Sequence, residues 1–196
     1  MTIEEFIKLI DAEDQSYDFY KKTILEFLNS NDTINVFPFL LRLASQRQNE
    51  ALMDALTSVA GTNNIFYEIS NKAENQVYEE VIDLIGEALE QHWHGAHEDF
   101  VSELEHFPHV KTVDLLRTII ETEPPIAANV DDADSLSRKA IWALGKMASP
   151  LEKRRVDPDV RSAAIITLRQ LMDHSDRIVV ERVRQQFHRI THGELS

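Results

Sequence analysis

Cysteine is absent from this chain of 196 residues, and glycine and proline are scarce, at 5 and 6 residues. The lack of cysteine excludes disulfides, thiolate metal sites and cysteine catalysis, and it is typical of proteins from a reducing compartment. So little glycine and proline is uncommon in disordered or loop-rich chains. No apolar run approaches the roughly 18 residues that cross a bilayer, and residues 1–5 lack the basic region of a secretory signal. We therefore expect a folded cytoplasmic protein without a membrane partner.

Positive charge is also scarce, because 34 Asp and Glu residues stand against 20 Lys and Arg, which gives a net charge of −14. The excess lies in the N-terminal part, where residues 1–110 carry 21 acidic and 6 basic side chains. Ten carboxylates occur between Lys72 and Lys111 without a single Lys or Arg. Neutralisation of phosphates supplies most of the affinity for nucleic acids. We therefore expect no nucleic-acid partner and favour a basic protein as the partner.

Apolar residues occur at helical spacing in nearly every segment, and 43% of all residues are hydrophobic. Thr2 and Glu5 have the spacing of a capping box, and Gly61 stands where a helix is expected to end. Residues 29–32 predict a turn, and residues 121–134 predict a long loop that contains two consecutive prolines. No segment shows the alternation of a strand. The pattern predicts an all-α protein, either a right-handed α-solenoid or an irregular helical bundle.

The most regular pattern begins at Asp157 and Pro158, an acidic cap followed by a proline in the first helical turn. A single helical face then carries apolar and small residues, and the small ones admit a neighbouring helix at short distance. Arg161, just after the first of them, is expected to reach back to the aspartates. The residues of this face are Val160, Ala163, Ala164, Thr167, Leu168 and Leu171.

This helix resembles the first helix of a HEAT-type repeat, and Ala143-Leu144-Gly145 in the preceding segment is similar. The resemblance is clearest over residues 134–190 and weaker over residues 77–90. It implies HEAT-like helix pairs that stack and bind other macromolecules, and it supplies no catalytic residues. We predict one all-helical domain over residues 1–196. Its parts are a degenerate helical cap (1–72), an acidic helix pair (73–110) and HEAT-like helices (111–196).

An acidic stripe is the first candidate binding feature. Glu79, Asp83, Glu87 and Glu90 follow at i, i+4, i+8 and i+11, on the helix face opposite an apolar stripe. Like charges four residues apart destabilise a helix by about 0.2–0.5 kcal/mol per pair, so a docking face for a basic partner is one interpretation. An ordinary solvated helix face is the other. The residues predicted to bind the partner are Glu79, Asp83, Glu87, Glu90, Glu98 and Asp99.

A histidine cluster is the second candidate. His92, His94, His97 and Glu98 fall within seven residues and could ligate zinc or nickel. The alternative is a corner between helices with exposed histidines, because Gly95 is expected to break the helix. We predict no metal and no cofactor, and name these four residues as the candidates if a metal binds. Nearby carboxylates would raise the pKa of these histidines and make binding of the partner pH-dependent.

Two further groups of residues have the chemistry of known binding sites. Glu103-x-x-His106 matches half of a di-iron carboxylate site, and the sequence offers no second half. Basic residues such as Arg182 and Arg189 resemble the cationic helices of HEAT-like DNA glycosylases. Acidic residues are interspersed among them, so we expect ion pairs and a solvated surface.

We therefore expect a non-enzymatic protein-binding module of bacterial type. The composition suits an inhibitor or immunity protein that covers the cationic site of a basic partner, such as a nuclease toxin. One alternative is a generic HEAT-repeat scaffold or regulatory subunit. Another is a metal-dependent enzyme that uses the histidines of residues 92–109.

Overall fold

The computed structural model describes residues 1–12, 16–122, 134–150 and 156–192, and these contain eleven α-helices and no strand. The prediction of an all-α protein is confirmed. Most of the segment predicted as a long loop, residues 121–134, lies outside the described residues. The helices are α1 (Ile3–Ile10), α2 (Tyr17–Asn29), α3 (Thr33–Arg47), α4 (Glu50–Thr62), α5 (Ile65–Lys72), α6 (Asn75–Leu89), α7 (His97–Glu103), α8 (Val110–Thr122), α9 (Asp134–Ala148), α10 (Pro158–Gln170) and α11 (Arg177–His192).

Local sequence signals set several helix ends. Thr2 and Glu5 form the predicted capping box, since each accepts the backbone N–H of the other, at 2.7 and 3.2 Å. The turn predicted at residues 29–32 separates α2 from α3. The carboxylate of Asp157 caps α10, with Pro158 as its first residue. The cap predicted at Gly61 is wrong, because α4 continues through this glycine to Thr62, and Asn63 is its C-cap residue.

The first compact unit, Met1–Phe100, has an aromatic core. Helix α2 packs against α4, and α3 packs against α6. The rings of Phe6 and Phe27 lie 4.5 Å apart between centroids, and those of Phe37 and Phe66 lie 5.1 Å apart, edge to face. All four side chains are buried. Burial of such large rings supplies much of the stability of a helical unit of this size.

The second compact unit, Val101–Ser196, is organised around α9, which packs against α8, α10 and α11, while α8 also contacts α10. Gly145 of α9 permits a close approach to α11, because a Cβ atom at this position would collide with Oε1 of Gln186. No acid of the described residues pairs with Arg161, contrary to the sequence prediction. The buried residues of α9 include Leu136, Ala140, Ala143, Leu144 and Met147.

The boundary between the two compact units falls after Phe100, inside α7. The single domain over residues 1–196, with its parts at 1–72, 73–110 and 111–196, stays a prediction. Within the described ranges, none of the helices combines the length and the apolar character needed to cross a membrane.

Candidate functional site: an acidic groove between α3 and α6

The groove lies on the surface of the first unit, where α3 and α6 pack side by side. Helix α6 is amphipathic: Val81, Leu84 and Ala88 are buried, so the opposite face of the helix carries its carboxylates. The concave space between the two helices measures about 720 Å³. Its lining residues are Arg42, Ser45, Gln46, Gln76, Glu79, Glu80, Asp83, Leu84 and Glu87.

The charge of this groove is strongly unbalanced. Four carboxylates line it against one basic side chain, Arg42. The guanidinium of Arg42 forms an ion pair with Glu80, which joins α3 to α6. The pair shows that the groove accommodates a guanidinium group beside its carboxylates. Carboxylates gathered in a concavity concentrate negative potential, which attracts cationic groups from a distance.

The structure divides the six residues predicted to bind a partner into two sets of three. Glu79, Asp83 and Glu87 line the groove together. Glu90, at the end of α6, and Glu98 and Asp99 of α7 are not part of its lining. Glu79 and Glu98 are half-buried, whereas the other four are exposed. Three of the six residues therefore line the groove, and the role of all six in binding a partner stays a prediction.

Asp99 belongs to a different acidic region, next to α4. The pKa of Asp54 is raised, first by burial and then by the negative charges of Glu50 and Asp99, while the backbone N–H of Gly95 opposes the shift. A carboxyl group with a raised pKa has lost part of its hydration, so Asp54 is partly withdrawn from solvent beside the exposed Glu50 and Asp99.

Sequence reasoning missed Arg42 and Glu80. Glu80 stands next to Glu79 in the chain but was not part of the i, i+4 series. No pattern in the sequence indicated Arg42, because its place opposite α6 depends on the packing of α3 against α6. Its partner Glu80 is 38 residues away in the chain. Long-range packing of this kind leaves no short-range pattern in a sequence.

The histidine cluster has a structural role in the connection between α6 and α7. His94 is 3% exposed, and its Nε2–H donates to the carbonyl of Ala88 at 3.0 Å. Its Nδ1 accepts the backbone N–H of Ala96 at 3.2 Å, which fixes the Nε2–H tautomer. His97 donates its Nε2–H to the carbonyl of Gln91 at 2.8 Å, and its ring stacks on that of His94 at 4.5 Å. The two rings thus tie the end of α6 to the start of α7.

The predicted direction of the pKa shift is wrong for His94 and His97. Burial, and then the nearby His97, together lower the pKa of His94 to about 4. Burial also lowers the pKa of His97. Carboxylates close in sequence predict a raised pKa, but the two imidazoles are buried in the protein, where the charged form loses its hydration. These two residues stay neutral near pH 7.

The residues named as candidate metal ligands are not grouped around a common point. In the part of the chain that the structure describes, no three His, Asp or Glu side chains are grouped to hold a metal ion. Both ring nitrogens of His94 are engaged by the backbone, and His92 is exposed. Glu103 and His106 are in contact, with 3.5 Å between Oε2 and Nε2. This pair belongs to the second unit, whereas the histidine cluster belongs to the first.

No protein-family model, curated protein or solved structure matches this chain.

Proposed function

We propose that this chain is a non-enzymatic, cytoplasmic protein-binding module whose acidic groove takes a cationic segment of a basic protein. In its sharpest form, the proposal is an inhibitor or immunity protein of bacterial type that covers the cationic site of a toxin, such as a nuclease. The observation that carries it is the concave surface between α3 and α6, with four carboxylates and one guanidinium.

Electrostatics supports this choice of partner. The first unit carries 19 acidic and 6 basic side chains, so its field draws a cationic protein toward it. Steering by such a field speeds association, and a shaped groove then determines which cation stays bound. An Arg or Lys side chain of the partner would pair with the carboxylates of α6, as Arg42 pairs with Glu80 within the chain.

The test uses two matched triple variants of the full chain. Glu79→Gln, Asp83→Asn and Glu87→Gln neutralise the groove, whereas Glu90→Gln, Glu98→Gln and Asp99→Asn neutralise the predicted residues outside it. Each triple removes the same charge and includes one half-buried glutamate. The wild type and both triples serve as bait in cell lysate at low salt, followed by a salt step and mass spectrometry.

We expect one dominant basic protein on the wild type and on the outer triple, and its loss from the groove triple. With that protein purified, the groove triple should weaken binding by about 10-fold or more, mainly through faster dissociation, because it removes close charge pairs. The outer triple should cost only about 2–3-fold, through slower association. Equal losses for both triples, or the absence of any captured basic protein, would contradict the proposal.

A second candidate function is a HEAT-like scaffold, and one observation favours it. In the second unit α8 packs against α9 and α10, and α9 against α10 and α11. Helices that contact both their neighbour and the helix after it have the packing of two stacked helix pairs, as in repeat proteins. A scaffold would retain several proteins in the same capture experiment, and the groove triple would leave most of them in place.

A further inference from the structure

The second unit contains a cleft that the acidic groove does not explain. It opens between α11, α9 and the residues at the end of α7, and its volume is about 480 Å³. This is within the range of about 300–1,000 Å³ that is typical of small-molecule sites. Helix α11 contributes Arg182, Gln186 and Arg189, which are spaced at i, i+4 and i+7 and so share one face.

The charge of this cleft is opposite to that of the groove. Four basic side chains line it, from Arg138, Lys139, Arg182 and Arg189, against the two carboxylates of Glu103 and Glu105. Glu105 is bound to Lys146 at 2.9 Å. The lining is therefore cationic in a protein of net charge −14, which favours an anionic ligand.

One wall of the cleft is flat. The guanidinium of Arg189 lies over the ring of Trp142, with 4.6 Å between its central carbon and the ring centroid. Guanidinium planes and tryptophan rings both stack on nucleobases. A ligand with an aromatic heterocycle would extend this stack.

The inner part of the cleft holds a buried acceptor. Gln186 is 5% exposed, and its Oε1, which lies close to Gly145, has no hydrogen-bond partner among the described residues. This oxygen has no contact with solvent and faces Gly145, so it belongs to the contact between α9 and α11 and offers no acceptor to a ligand. A bare inorganic anion would leave the flat wall of the cleft uncovered.

We propose that the α9–α11 cleft binds a nucleoside phosphate. The phosphate would lie among the four basic side chains, and the base would lie against Arg189 and Trp142. The site is independent of the acidic groove and adds a small-molecule ligand to a protein-binding module.

The test uses the full chain with Trp93→Phe, which leaves Trp142 as the only tryptophan of the two in the sequence. Fluorescence of Trp142 is followed during titration with the four ribonucleoside 5′-monophosphates, and with ribose 5-phosphate and adenosine as half-ligands. We expect at least one monophosphate to bind with a Kd below about 1 mM. Each half-ligand should bind about 10-fold more weakly or worse, since it loses either the stacking or the charge-assisted hydrogen bonds.

Arg182→Gln and Arg184→Gln form the matched pair of variants, both on α11. Arg184 is exposed, lies near Glu181 and does not line the cleft. Arg182→Gln should weaken nucleotide binding about 10-fold, and Arg184→Gln less than about 2-fold. The proposal is overturned if no monophosphate changes the Trp142 signal, if ribose 5-phosphate binds as tightly as the nucleotides, or if the two variants behave alike.

Discussion

The first unit carries 19 acidic and 6 basic side chains, whereas the second carries 15 and 14. Both units bury helix faces by the same packing rules, so their cores do not explain this difference. The concave surfaces show the same contrast: the groove of unit 1 is lined by carboxylates, and the cleft of unit 2 is lined mainly by basic groups.

The units also differ in the role of their buried polar side chains. Unit 1 fixes a connection between helices with two buried neutral imidazoles. In unit 2, the buried side-chain amide of Gln186 packs directly against Gly145, with no space for a Cβ atom there. Each arrangement makes its unit sensitive to a different perturbation, which gives three tests of the comparison.

The largest effect is expected from acid on unit 1. His94 has a folded-state pKa of about 4, below the ordinary value of 6.5 in an unfolded chain. The unfolded state therefore binds the proton first, and stability falls as pH drops from about 6.5 toward 4. From these two values, the free energy of unfolding should fall by about 2 kcal/mol between pH 7 and pH 5 through this group. Urea unfolding, followed by Trp93 fluorescence in a Trp142→Phe background, measures it.

The control for this prediction is His94→Asn. Asparagine can still accept the N–H of Ala96 but cannot titrate, so the variant should be less stable at pH 7 and should show a shallower pH dependence. Parallel curves for the two proteins between pH 7 and pH 5 would show that the pKa of His94 is not depressed.

A second effect is expected at the contact between α9 and α11 in unit 2. Gly145→Ala places a Cβ atom against the buried Gln186, and such overpacking typically costs about 1–3 kcal/mol. Helix propensity opposes this loss by up to about 1 kcal/mol. The net change should be destabilising by about 1 kcal/mol, measured by urea unfolding with Trp142 as the probe.

Two comparisons sharpen this prediction. In a Gln186→Ala background, Gly145→Ala should become stabilising, because only the gain in helix propensity remains. In unit 1, Gly61→Ala on the exposed surface of α4 should stabilise by up to about 0.5 kcal/mol for the same reason. Additive effects of the Gly145 and Gln186 substitutions would refute the close contact.

The smallest effects are expected from the helix caps, one in each unit. Thr2→Ala removes half of the capping box of α1, and Asp157→Ala removes the side-chain cap of α10. Each should cost about 1 kcal/mol, since one backbone donor loses its acceptor. Conservative replacements, Thr2→Ser and Asp157→Asn, should restore most of the loss in thermal or urea unfolding. Losses that these replacements do not restore would contradict a capping role.

Local patterns predicted most of the fold. The helical spacing of apolar residues, the capping box at Thr2 and the Asp157–Pro158 start all concern residues within one turn of each other, where sequence and structure are tightly coupled. The helix end predicted at Gly61 was wrong because an exposed glycine is tolerated inside a helix when its neighbours pack well. Packing around α4 outweighed the cost of that glycine, which is about 1 kcal/mol.

The candidate sites were only partly predictable. The i, i+4 series located Glu79, Asp83 and Glu87, because that spacing alone places them on one side of α6. Their position in a groove with Arg42, and the gathering of Arg138 and Arg182 around a cleft, depend on which helices pack together. The environment of His94 depends on burial, which reversed the expected direction of its pKa shift.

The position of α9 has a consequence for the motions of unit 2. This helix contacts α8, α10 and α11, so its backbone amides are covered on several sides. Local fraying at helix ends can expose the amides of its neighbours one element at a time. An amide in the middle of α9 exchanges its hydrogen with solvent only when several helices separate together. The exchange rate of α9 is therefore a direct measure of how cooperatively unit 2 opens.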